Sequence, residues 1–332
     1  MPQQPLVSIV MCCYNGAHFI PRAFESVLEQ TYNNIELVFV NDGSTDNTTE
    51  VAQSYLDTFQ TRGYILKIIT QDNHGHGHAC ATGLKHINGD FLSYLDVDDL
   101  IMPTSIEEKV NFLCNHPNYN VVRTNAYIVP NDKLNDTSNL LVKNQREKTN
   151  KYIFDDLLFG HTNNFAGTYL VRVLPLREFY SNKEIVISRY GPNLQVLLPL
   201  THNTPCGFID KPLFKYIKHS NSHSAPTSLE KEIDLHKGYW DIRYKMLELM
   251  GINDNDLFKR LKIRNLQNII YSTIHHSNRE QFNIYYSQLK VLKANTLEFK
   301  TYNAIINQYK TQLVYRALFF VYRHICPQNL AY

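Results

Sequence analysis

The sequence predicts an α/β fold in which a mostly parallel sheet is covered by helices and followed by a C-terminal helical region. Continuous apolar runs alternate with segments of helical periodicity through the first 125 residues, which is typical of strands buried on both faces of a sheet. Beyond residue 228 the apolar positions keep helical spacing. We therefore expect an α/β domain over residues 1–225, with halves 1–125 and 126–225, and a helical region over residues 226–332.

The expected strands of the first half are apolar runs that end at turn-forming residues. They are Val7 to Cys12, Ile35 to Val40, Tyr64 to Ile69, Phe91 to Leu95 and Asn120 to Asn125. The connecting helices are Ala17 to Gln30, a helix through Val51 and Tyr55 capped by Ser44 or Asp46, Gly77 to Ile87, and Thr104 to Cys114. Because parallel sheets hold ligands at the carboxyl ends of their strands, we expect a site at that edge.

The rest of the chain is expected to be less regular before it becomes helical. Residues 130–149 are polar and predict an exposed loop. Residues 155–216 contain short helix and strand patterns, which we expect to complete the sheet and to form one side of a cleft. Four helices are then expected: Leu229 to Met250, Asn255 to His275, Gln281 to Lys293 and Thr296 to Ile325.

Composition limits the class of protein. The 332 residues carry a formal net charge of +2, so no global field favours nucleic acid as a partner. Six cysteines are scattered without a CxxC spacing, which predicts a reduced, cytosolic chain. The N-terminal segment has no basic region, and no apolar run reaches the roughly 18 residues of a bilayer span, so we expect neither a signal peptide nor a membrane crossing.

Three carboxylates follow the fourth expected strand in the segment FLSYLDVDDLIMP, at Asp96, Asp98 and Asp99. Ionised carboxylates this close repel each other and lose hydration, so a folded protein tolerates them in water or around a cation. Alternation along an extended chain would turn Asp96 and Asp98 to the same face, a spacing that suits a hard divalent cation. A solvated acidic turn is the alternative interpretation.

Two more loops at the same sheet edge have the composition of a nucleotide site. After the first strand, the segment CCYNG (Cys12, Cys13, Tyr14, Asn15 and Gly16) offers backbone groups and an aromatic ring. After the second strand, the segment NDGSTD places Asp42 where its carboxylate could accept the imide N–H of a uracil. Taken alone, NDGSTD is equally well explained as a turn and helix cap.

Together these segments resemble the family 2 glycosyltransferases of the GT-A fold, which are inverting enzymes that use a nucleotide-diphosphate sugar. The resemblance covers Leu6 to Pro103 and is carried by three segments in family order and spacing. These are VSIVMCCYNGAHFIPRAFESVLEQTYNNIELVFVNDGSTDNT, NHGHGHACATGLKHINGD and FLSYLDVDDLIMP. It continues less firmly through the segments that begin at Gly167, Ser188 and Cys206.

The resemblance implies a set of donor-site residues. The backbone around Cys12, Cys13, Tyr14 and Asn15 and the side chain of Asp42 would hold the uracil. Within the acidic segment, Asp96 and Val97 would lie near the donor ribose, and Asp98 would be the direct ligand of Mn²⁺ or Mg²⁺, with Asp96 close to the ion. A histidine after a tyrosine in the family pattern corresponds to His219, with His223 as the alternative metal ligand.

The segment NHGHGHA has two interpretations. His74, His76 and His78 alternate like a metal-binding tract. In the family pattern, however, this segment is a glycine-rich loop that opens a helix beside the nucleotide, where Gly75 and Gly77 allow close backbone approach. We prefer the second interpretation. The family usually has Arg and Asn where this chain has Cys80 and Ala81, which puts side-chain contacts to the nucleotide there in doubt.

The catalytic base departs from the family pattern. An inverting transfer needs a carboxylate to take the proton of the acceptor hydroxyl, and family members commonly place a Glu-Asp pair after a glycine. This chain has Gly191, Pro192 and Asn193 instead, and an amide cannot act as a base. Either Asn193 orients the acceptor and another acid serves, for which Glu184 is preferred over the pair Asp155–Asp156, or catalysis has been lost.

The C-terminal segment Tyr309 to Cys326 combines apolar residues with Lys310, Arg316, Arg323 and His324. This pattern suits a helix at a membrane interface, a helix that packs on the catalytic domain, or one that pairs two chains as a homodimer.

We expect a cytoplasmic enzyme, in peripheral contact with the inner membrane if the C-terminal segment lies at a membrane interface. It would transfer a sugar from a UDP-sugar to a glycan or lipid-linked glycan in capsule, lipopolysaccharide or teichoic-type polymer synthesis. The alternative is a catalytically impaired scaffold that keeps the nucleotide-sugar site.

Overall fold

The computed structural model of the chain describes residues 4–188, 190–219 and 228–294, together with residues 300 and 303. Contacts between residues divide the chain into two compact units, Met1–Ser222 and His223–Tyr332, which are described separately below.

The first unit is built around one sheet of eight strands. They are β1 (Val7–Cys13), β2 (Ile35–Asp42), β3 (Ile65–Gln71), β4 (Phe91–Tyr94), β5 (Leu100–Ile101), β6 (Val121–Pro130), β7 (Tyr169–Arg172) and β8 (Cys206–Lys218). Their order in the sheet is β3-β2-β1-β4-β7-β6-β8-β5. The strands β3, β2, β1 and β4 run parallel to one another, and β7 then pairs antiparallel with β4. The sheet is therefore mixed, with its parallel half at the N-terminal end of the chain.

Nine helices connect the described strands of this unit. They are α1 (Ile20–Leu28), α2 (Thr48–Gln53), α3 (Leu56–Arg62), α4 (His76–Lys85), α5 (Ser105–Asn115), α6 (Gln145–Thr149), α7 (Phe154–Phe159), α8 (Val173–Tyr180) and α9 (Asn193–Thr201). The apolar face of α1 packs through Phe24 on Phe39 of β2 and on Phe59 of α3, with ring centroids 5.4 Å apart in both pairs. These rings, all fully buried, form the centre of a core that extends under β1, β2 and β4.

The predicted α/β class is confirmed, and four local expectations change. The expected helix through Val51 and Tyr55 is two helices, α2 and α3, separated by a turn at Ser54 and Tyr55. The strand β6 extends to Pro130, five residues beyond the predicted Asn125. The expected loop over residues 130–149 contains the short helix α6, which begins after Asn144, whose side chain accepts the N–H of Arg146. The predicted strand Phe91 to Leu95 ends at Tyr94, so the acidic segment that follows is a turn.

The second unit is helical in its described part. It contains α10 (Leu229–Leu249), α11 (Asn255–His275) and α12 (Arg279–Val291), close to the first three predicted helices. Asp254 and Asn278 cap the last two by accepting backbone N–H groups of their first turns. Ile270, Phe282 and Leu289 are fully buried between α11 and α12. The expected helix Thr296 to Ile325 and the segment Tyr309 to Cys326 lie outside the described residues.

Among the helices in the described ranges, none has both the length and the mean hydropathy that crossing a bilayer requires.

Candidate active site

The candidate site lies at the carboxyl edge of β1, β2 and β4. A small, partly open cleft there is lined by Cys12, Asp96 and Asn193, three of the residues that the sequence assigned to the site. His76 and Cys80 of α4 line the same cleft, although sequence reasoning gave their side chains no role in it. The tertiary fold thus brings the ends of β1 and β4 together with the N-termini of α4 and α9.

The acidic segment is a tight turn rather than the end of a strand. The Asp99 backbone N–H donates to the Asp96 carbonyl oxygen at 3.1 Å, which closes the turn. Strand alternation is therefore the wrong reason for placing Asp96 and Asp98 together. The side chain of Val97 packs against the hydrophobic core, which anchors the turn.

Asp98 and His219 meet at one end of this turn. The Asp98 Oδ2 atom lies 3.6 Å from the His219 Nε2 atom, and the two side chains are 38% and 15% exposed. The His219 Nε2 atom is buried and has no hydrogen-bond partner among the described residues. A carboxylate oxygen and an unpaired imidazole nitrogen at this spacing fit a divalent ion bound between them, because each would lie about 2.0–2.2 Å from such an ion. His223, the alternative ligand, lies outside the described residues.

Asp96 faces the cleft on the other side of the turn. Its Oδ1 atom lies 4.0 Å from the His76 Nε2 atom, and 42% of its side chain is exposed. Desolvation by the surrounding protein raises the pKa of Asp96 to about 6, His76 opposes this rise, and the negative charge of Asp98 adds to it. A bound cation would remove this unfavourable environment for the charged carboxylate.

Asp99, the third carboxylate, does not belong to the ion site. It is 2% exposed, and its Oδ1 atom accepts the backbone N–H of Ile217 in β8 at 2.7 Å. Burial raises the pKa of Asp99 well above its usual range, and the neighbouring Asp98 and Asp96 charges add to the shift. The expectation that all three carboxylates surround one cation is wrong, because Asp99 fastens the acidic turn to the strand that leads to His219.

Arg22 of α1 also holds the acidic turn, and sequence reasoning missed it. Its Nη2 atom donates to the backbone carbonyl of Asp98 at 2.8 Å, and its Nη1 atom donates to the Asn131 side chain at 3.1 Å. The guanidinium lies 5.6 Å from the ring centre of Phe19, which itself contacts His219 edge to face at 5.1 Å. Arg22 therefore positions the backbone at Asp98, the predicted ion ligand. Its place in an amphipathic helix gave no sequence signal for this role.

Asp42 organises the glycine-rich loop. The side chain is 3% exposed. Its Oδ1 atom accepts the Gln71 side-chain amide at 2.7 Å and the His74 backbone N–H at 3.1 Å, and its Oδ2 atom accepts the Gly75 backbone N–H at 2.8 Å. These three bonds show that Asp42 holds the glycine-rich loop in place, and its contact with a uracil stays a prediction.

The two glycines of the loop have different functions. Gly75 has φ +89°, a left-handed backbone conformation that favours glycine, and it begins α4. Gly77 lies against the segment before α9, where an added Cβ atom would be 1.7 Å from the Ser188 carbonyl oxygen. The predicted close approach at Gly77 therefore exists, but its partner is the backbone of the same chain.

The CCYNG loop is tied to the NDGSTD loop. The Asn15 side chain accepts the Thr45 backbone N–H at 2.7 Å, and the Asn15 backbone N–H donates to the Ser44 hydroxyl at 2.9 Å. Cys13 is 3% exposed, and burial raises its thiol pKa to about 11, so it is a packing residue. Tyr14 is 52% exposed, which leaves its ring free to contact a ligand.

Cys12, His76 and Cys80 form a compact cluster at the bottom of the cleft. The two sulfur atoms are 3.7 Å apart, and the Cys80 Sγ atom lies 3.6 Å from the His76 Nε2 atom. The thiol of Cys12 donates to Cys80, and this hydrogen bond together with the nearby His76 lowers the pKa of Cys80, although burial opposes the shift. No CxxC spacing exists at these positions, so only the fold reveals the cluster.

The acids considered as catalytic bases lie in different surroundings. Glu184 is exposed. Asp156 is buried, and its Oδ1 atom pairs with Arg146 at 3.2 Å, so it has a structural role. Asn193 begins α9 at the cleft, and its Oδ1 atom accepts the hydroxyl of Tyr169 at 2.6 Å. That hydrogen bond leaves its amide N–H groups available for a ligand.

The sheet order and the site together define the GT-A fold, and comparison with known proteins assigns the family. The family described as Glycosyl transferase family 2 matches residues 8–173. The chain therefore belongs to glycosyl transferase family 2, as its sequence motifs predicted.

Curated relatives match over the N-terminal part of the chain. An uncharacterized glycosyltransferase of Rickettsia typhi is 42% identical over 118 residues, which cover 36% of this chain and 35% of the relative. One from Haemophilus influenzae is 35% identical over 109 residues, which cover 33% of this chain and 42% of the relative. The chain thus spans less than half the length of these curated relatives.

Solved structures match over a larger part of the chain. The crystal structure of Staphylococcus aureus TarS 1–349 in complex with UDP-GlcNAc has a TM-score of 0.54 at 15% identity and covers 87% of this chain and 91% of that one. The mannosyltransferase PcManGT of Pyrobaculum calidifontis, in complex with GDP-Man and Mn²⁺, has a TM-score of 0.52 at 13% identity and covers 97% of this chain and 87% of that one. At these identities the comparisons show a shared fold.

Proposed function

We propose that the chain is a metal-dependent inverting glycosyltransferase that transfers a sugar from a UDP-sugar to a glycan hydroxyl in bacterial cell-surface polysaccharide synthesis. The observation that carries the proposal is the unpaired Nε2 atom of His219 beside the Oδ2 atom of Asp98, 3.6 Å apart at the carboxyl edge of the sheet. Mn²⁺ or Mg²⁺ held there would neutralise the diphosphate as it leaves.

The chain's own residues would bind and orient the donor. The exposed ring of Tyr14 and the side chain of Asp42 would face the base, and the cleft beside Asp96 would receive the ribose and sugar. Asn193 would orient the acceptor through its free amide N–H groups. The UDP-GlcNAc bound by TarS supports a uridine donor, although the GDP-Man bound by PcManGT shows that this fold also accepts another base.

The test is metal-dependent binding and turnover. We expect UDP to bind in the presence of Mn²⁺ in calorimetry, and Asp98→Asn to weaken this binding at least tenfold and to abolish hydrolysis of a UDP-sugar. Asp132→Asn, which changes an exposed carboxylate outside the cleft, is the matched control and should behave as wild type. Equal UDP binding with and without divalent ions in the wild type would contradict the proposal, and so would a UDP affinity in Mn²⁺ that Asp98→Asn leaves equal to that of the wild type.

A catalytically impaired scaffold is the second candidate, and one observation favours it. In the described part of the chain, Asp96 is the carboxylate that lines the cleft, and Asn193 occupies the position where the family pattern has an acid. UDP binding without transfer to any glycan on an acceptor array would favour the scaffold. If transfer occurs, Glu184→Ala tests the proposed base, and full turnover in this variant would remove Glu184 from the mechanism.

A cytoplasmic location, contact of the C-terminal segment with the inner membrane, and a homodimer remain predictions. Recovery of a chain truncated at Ile305 with membranes, compared with the full chain, would test the membrane contact. Size-exclusion chromatography of the same two proteins would test dimer formation.

A further inference from the structure

The cluster of Cys12, His76 and Cys80 is not explained by the proposed transfer reaction. A strand and a helix build it: Cys12 lies near the end of β1, and His76 and Cys80 are four residues apart on α4. Residues four apart on a helix lie on the same face, so both side chains turn towards β1. The three potential ligand atoms all lie within 4.8 Å of one another.

The distances match those of a tetrahedral zinc site. Zinc binds thiolate sulfur at about 2.3 Å and imidazole nitrogen at about 2.0–2.1 Å, so tetrahedral angles place two sulfur ligands roughly 3.8 Å apart and a sulfur and a nitrogen roughly 3.6 Å apart. The sulfur atoms of Cys12 and Cys80 are 3.7 Å apart, and Cys80 Sγ and His76 Nε2 are 3.6 Å apart. Two of the three distances between ligand atoms therefore fit a zinc ion, and the third, between Cys12 Sγ and His76 Nε2, is at most 4.8 Å.

A fourth ligand is available at the same place. The Asp96 Oδ1 atom lies 4.0 Å from the His76 Nε2 atom on the cleft side of the cluster. This distance is slightly longer than the roughly 3.3 Å expected between a nitrogen and an oxygen ligand of one zinc ion, and rotation of the half-exposed Asp96 carboxylate would shorten it. The neighbouring His74 and His78 are both exposed and contact each other at 5.4 Å between ring centres.

We propose that Cys12, His76 and Cys80 bind one zinc ion, with the Asp96 carboxylate as the fourth ligand. Two thiolates and an imidazole select a soft or borderline cation over Mn²⁺ and Mg²⁺, which prefer oxygen ligands. This site is therefore chemically distinct from the Asp98–His219 pair. Binding displaces the thiol protons and involves no redox step.

Cobalt and zinc titrations of the full chain test the site. The metal-free protein, kept reduced, is titrated with Co²⁺, and the expected result is one equivalent that gives thiolate-to-cobalt charge-transfer absorption and is displaced by Zn²⁺. Competition with a chromophoric chelator then gives the zinc affinity. We expect Cys80→Ser and His76→Gln each to weaken zinc binding at least 100-fold and to reduce or remove the charge-transfer band.

The chain offers matched controls for each ligand type. Cys114→Ser removes an exposed thiol on α5, and His74→Gln removes an exposed imidazole in the same loop as His76; both should bind zinc as wild type does. His219→Ala, which alters the proposed Mn²⁺ site, should also keep the cobalt band. Circular dichroism of each metal-free variant checks the fold, and the half-exposed position of His76 makes His76→Gln informative even if Cys80→Ser unfolds.

Two results would overturn the proposal. One is the absence of thiolate-to-cobalt absorption in the reduced wild-type chain. This holds even if Cys12 and Cys80 form a disulfide when the chain is oxidised. The other is zinc affinity that His76→Gln and Cys80→Ser leave unchanged, which would place the ion elsewhere.

A last consequence depends on the proposed function. Because Asp96 would serve both the zinc ion and the donor, we expect stoichiometric zinc to weaken Mn²⁺-dependent UDP binding at least tenfold in the wild type and to leave it unchanged in Cys80→Ser. If no UDP binding occurs under any condition, the proposed function fails and the cobalt spectra still decide the zinc site. If UDP binds and zinc leaves its affinity unchanged in the wild type, Asp96 is not a zinc ligand.

Discussion

The imidazole of His219 is held in a state that is costly without a ligand. A buried polar atom without a hydrogen bond destabilises a protein by about 1–3 kcal/mol, and the Nε2 atom of His219 is such an atom in the described part of the chain. The ring is fixed edge to face against Phe19, so it cannot easily turn towards solvent. This environment supports the proposal that a cation binds between His219 and Asp98.

Replacing His219 with alanine should weaken the metal requirement without unfolding the chain. We expect the Mn²⁺ concentration for half-maximal UDP binding to rise roughly tenfold or more, because an ion ligand is lost. Calorimetric UDP titrations at a series of Mn²⁺ concentrations measure the change. His18→Ala removes an exposed imidazole that also contacts the ring of Phe19, and its Mn²⁺ dependence should equal that of the wild type. An unchanged Mn²⁺ dependence in His219→Ala would exclude the histidine from the ion site.

At the scale of residues, the sequence identified individual site residues better than it predicted the contacts between them. The motifs placed Asp96 and Asp98 at the sheet edge, and the family pattern pointed to His219. The pairing of Cys12 with Cys80 could not be predicted, because it depends on how α4 packs beside β1, which linear spacing does not encode. The burial of Asp99 could not be predicted either. Side-chain alternation was expected in the acidic segment, but this segment forms a turn, and the turn sets the direction of the Asp99 side chain.

At the scale of elements, the first turn of α4 packs closely against the backbone of Ser188. Gly77 lies where an added Cβ atom would meet the Ser188 carbonyl oxygen at 1.7 Å, a distance that real atoms do not tolerate. Ser188 belongs to the segment that leads to Asn193, so this contact joins the two elements whose first turns face the cleft.

Gly77→Ala should therefore separate α4 from that segment. We expect a loss of about 1–3 kcal/mol in the free energy of unfolding, as for an overpacked core position, and faster amide exchange in peptides that contain Ser188. Urea unfolding and hydrogen-exchange mass spectrometry measure the two effects. Gly63→Ala is the control, since Gly63 has open space around it; its positive φ alone should cost about 1 kcal/mol, and exchange at Ser188 should stay unchanged. Unchanged exchange in Gly77→Ala would contradict the prediction.

The predicted elements agree well with the observed ones where an apolar pattern is long. The strands β1 and β2 and the helix α11 lie close to their predicted bounds, because many buried residues repeat with one period. Residues 130–149 were predicted less well, since the helix α6 has no buried residue that could produce such a pattern.

At the scale of the whole molecule, the helical unit contains its own spectroscopic probe and its own titrating group. Trp240 on α10 is the single tryptophan of the sequence. His236, one turn earlier, is 6% exposed, and its Nε2 atom lies 3.1 Å from the Ser272 hydroxyl. Burial lowers the pKa of His236 to about 4, with Glu232 opposing this shift and Arg243 and Arg264 adding to it.

This depressed pKa predicts acid sensitivity of the helical unit. The unfolded chain binds a proton at His236 near pH 6.5 whereas the folded chain binds it only near pH 4, so stability is full above pH 6.5 and is lost as the pH falls towards 4. Between pH 7 and pH 5 we expect a loss of about 2 kcal/mol from this group. Urea unfolding of the full chain, followed by Trp240 fluorescence at both pH values, measures it.

His236→Gln should flatten this pH dependence, because the amide can still bond to Ser272 and does not titrate. His275→Gln changes an exposed histidine of the same unit and should retain the slope. Equal pH slopes in His236→Gln and the wild type would show that other groups cause the acid sensitivity.

The short ladder between β5 and β8 lies next to the chain segments that carry Asp98 and His219. Leu100 pairs with Lys215 and Ile101 with Phe214. Immediately beside these pairs, the Asp99 side chain accepts the backbone N–H of Ile217. The β5–β8 pairing and the Asp99–Ile217 bond thus join the two chain segments that carry Asp98 and His219. If the proposed ion binds between them, substitutions elsewhere that leave these bonds intact should preserve the spacing of its two ligands.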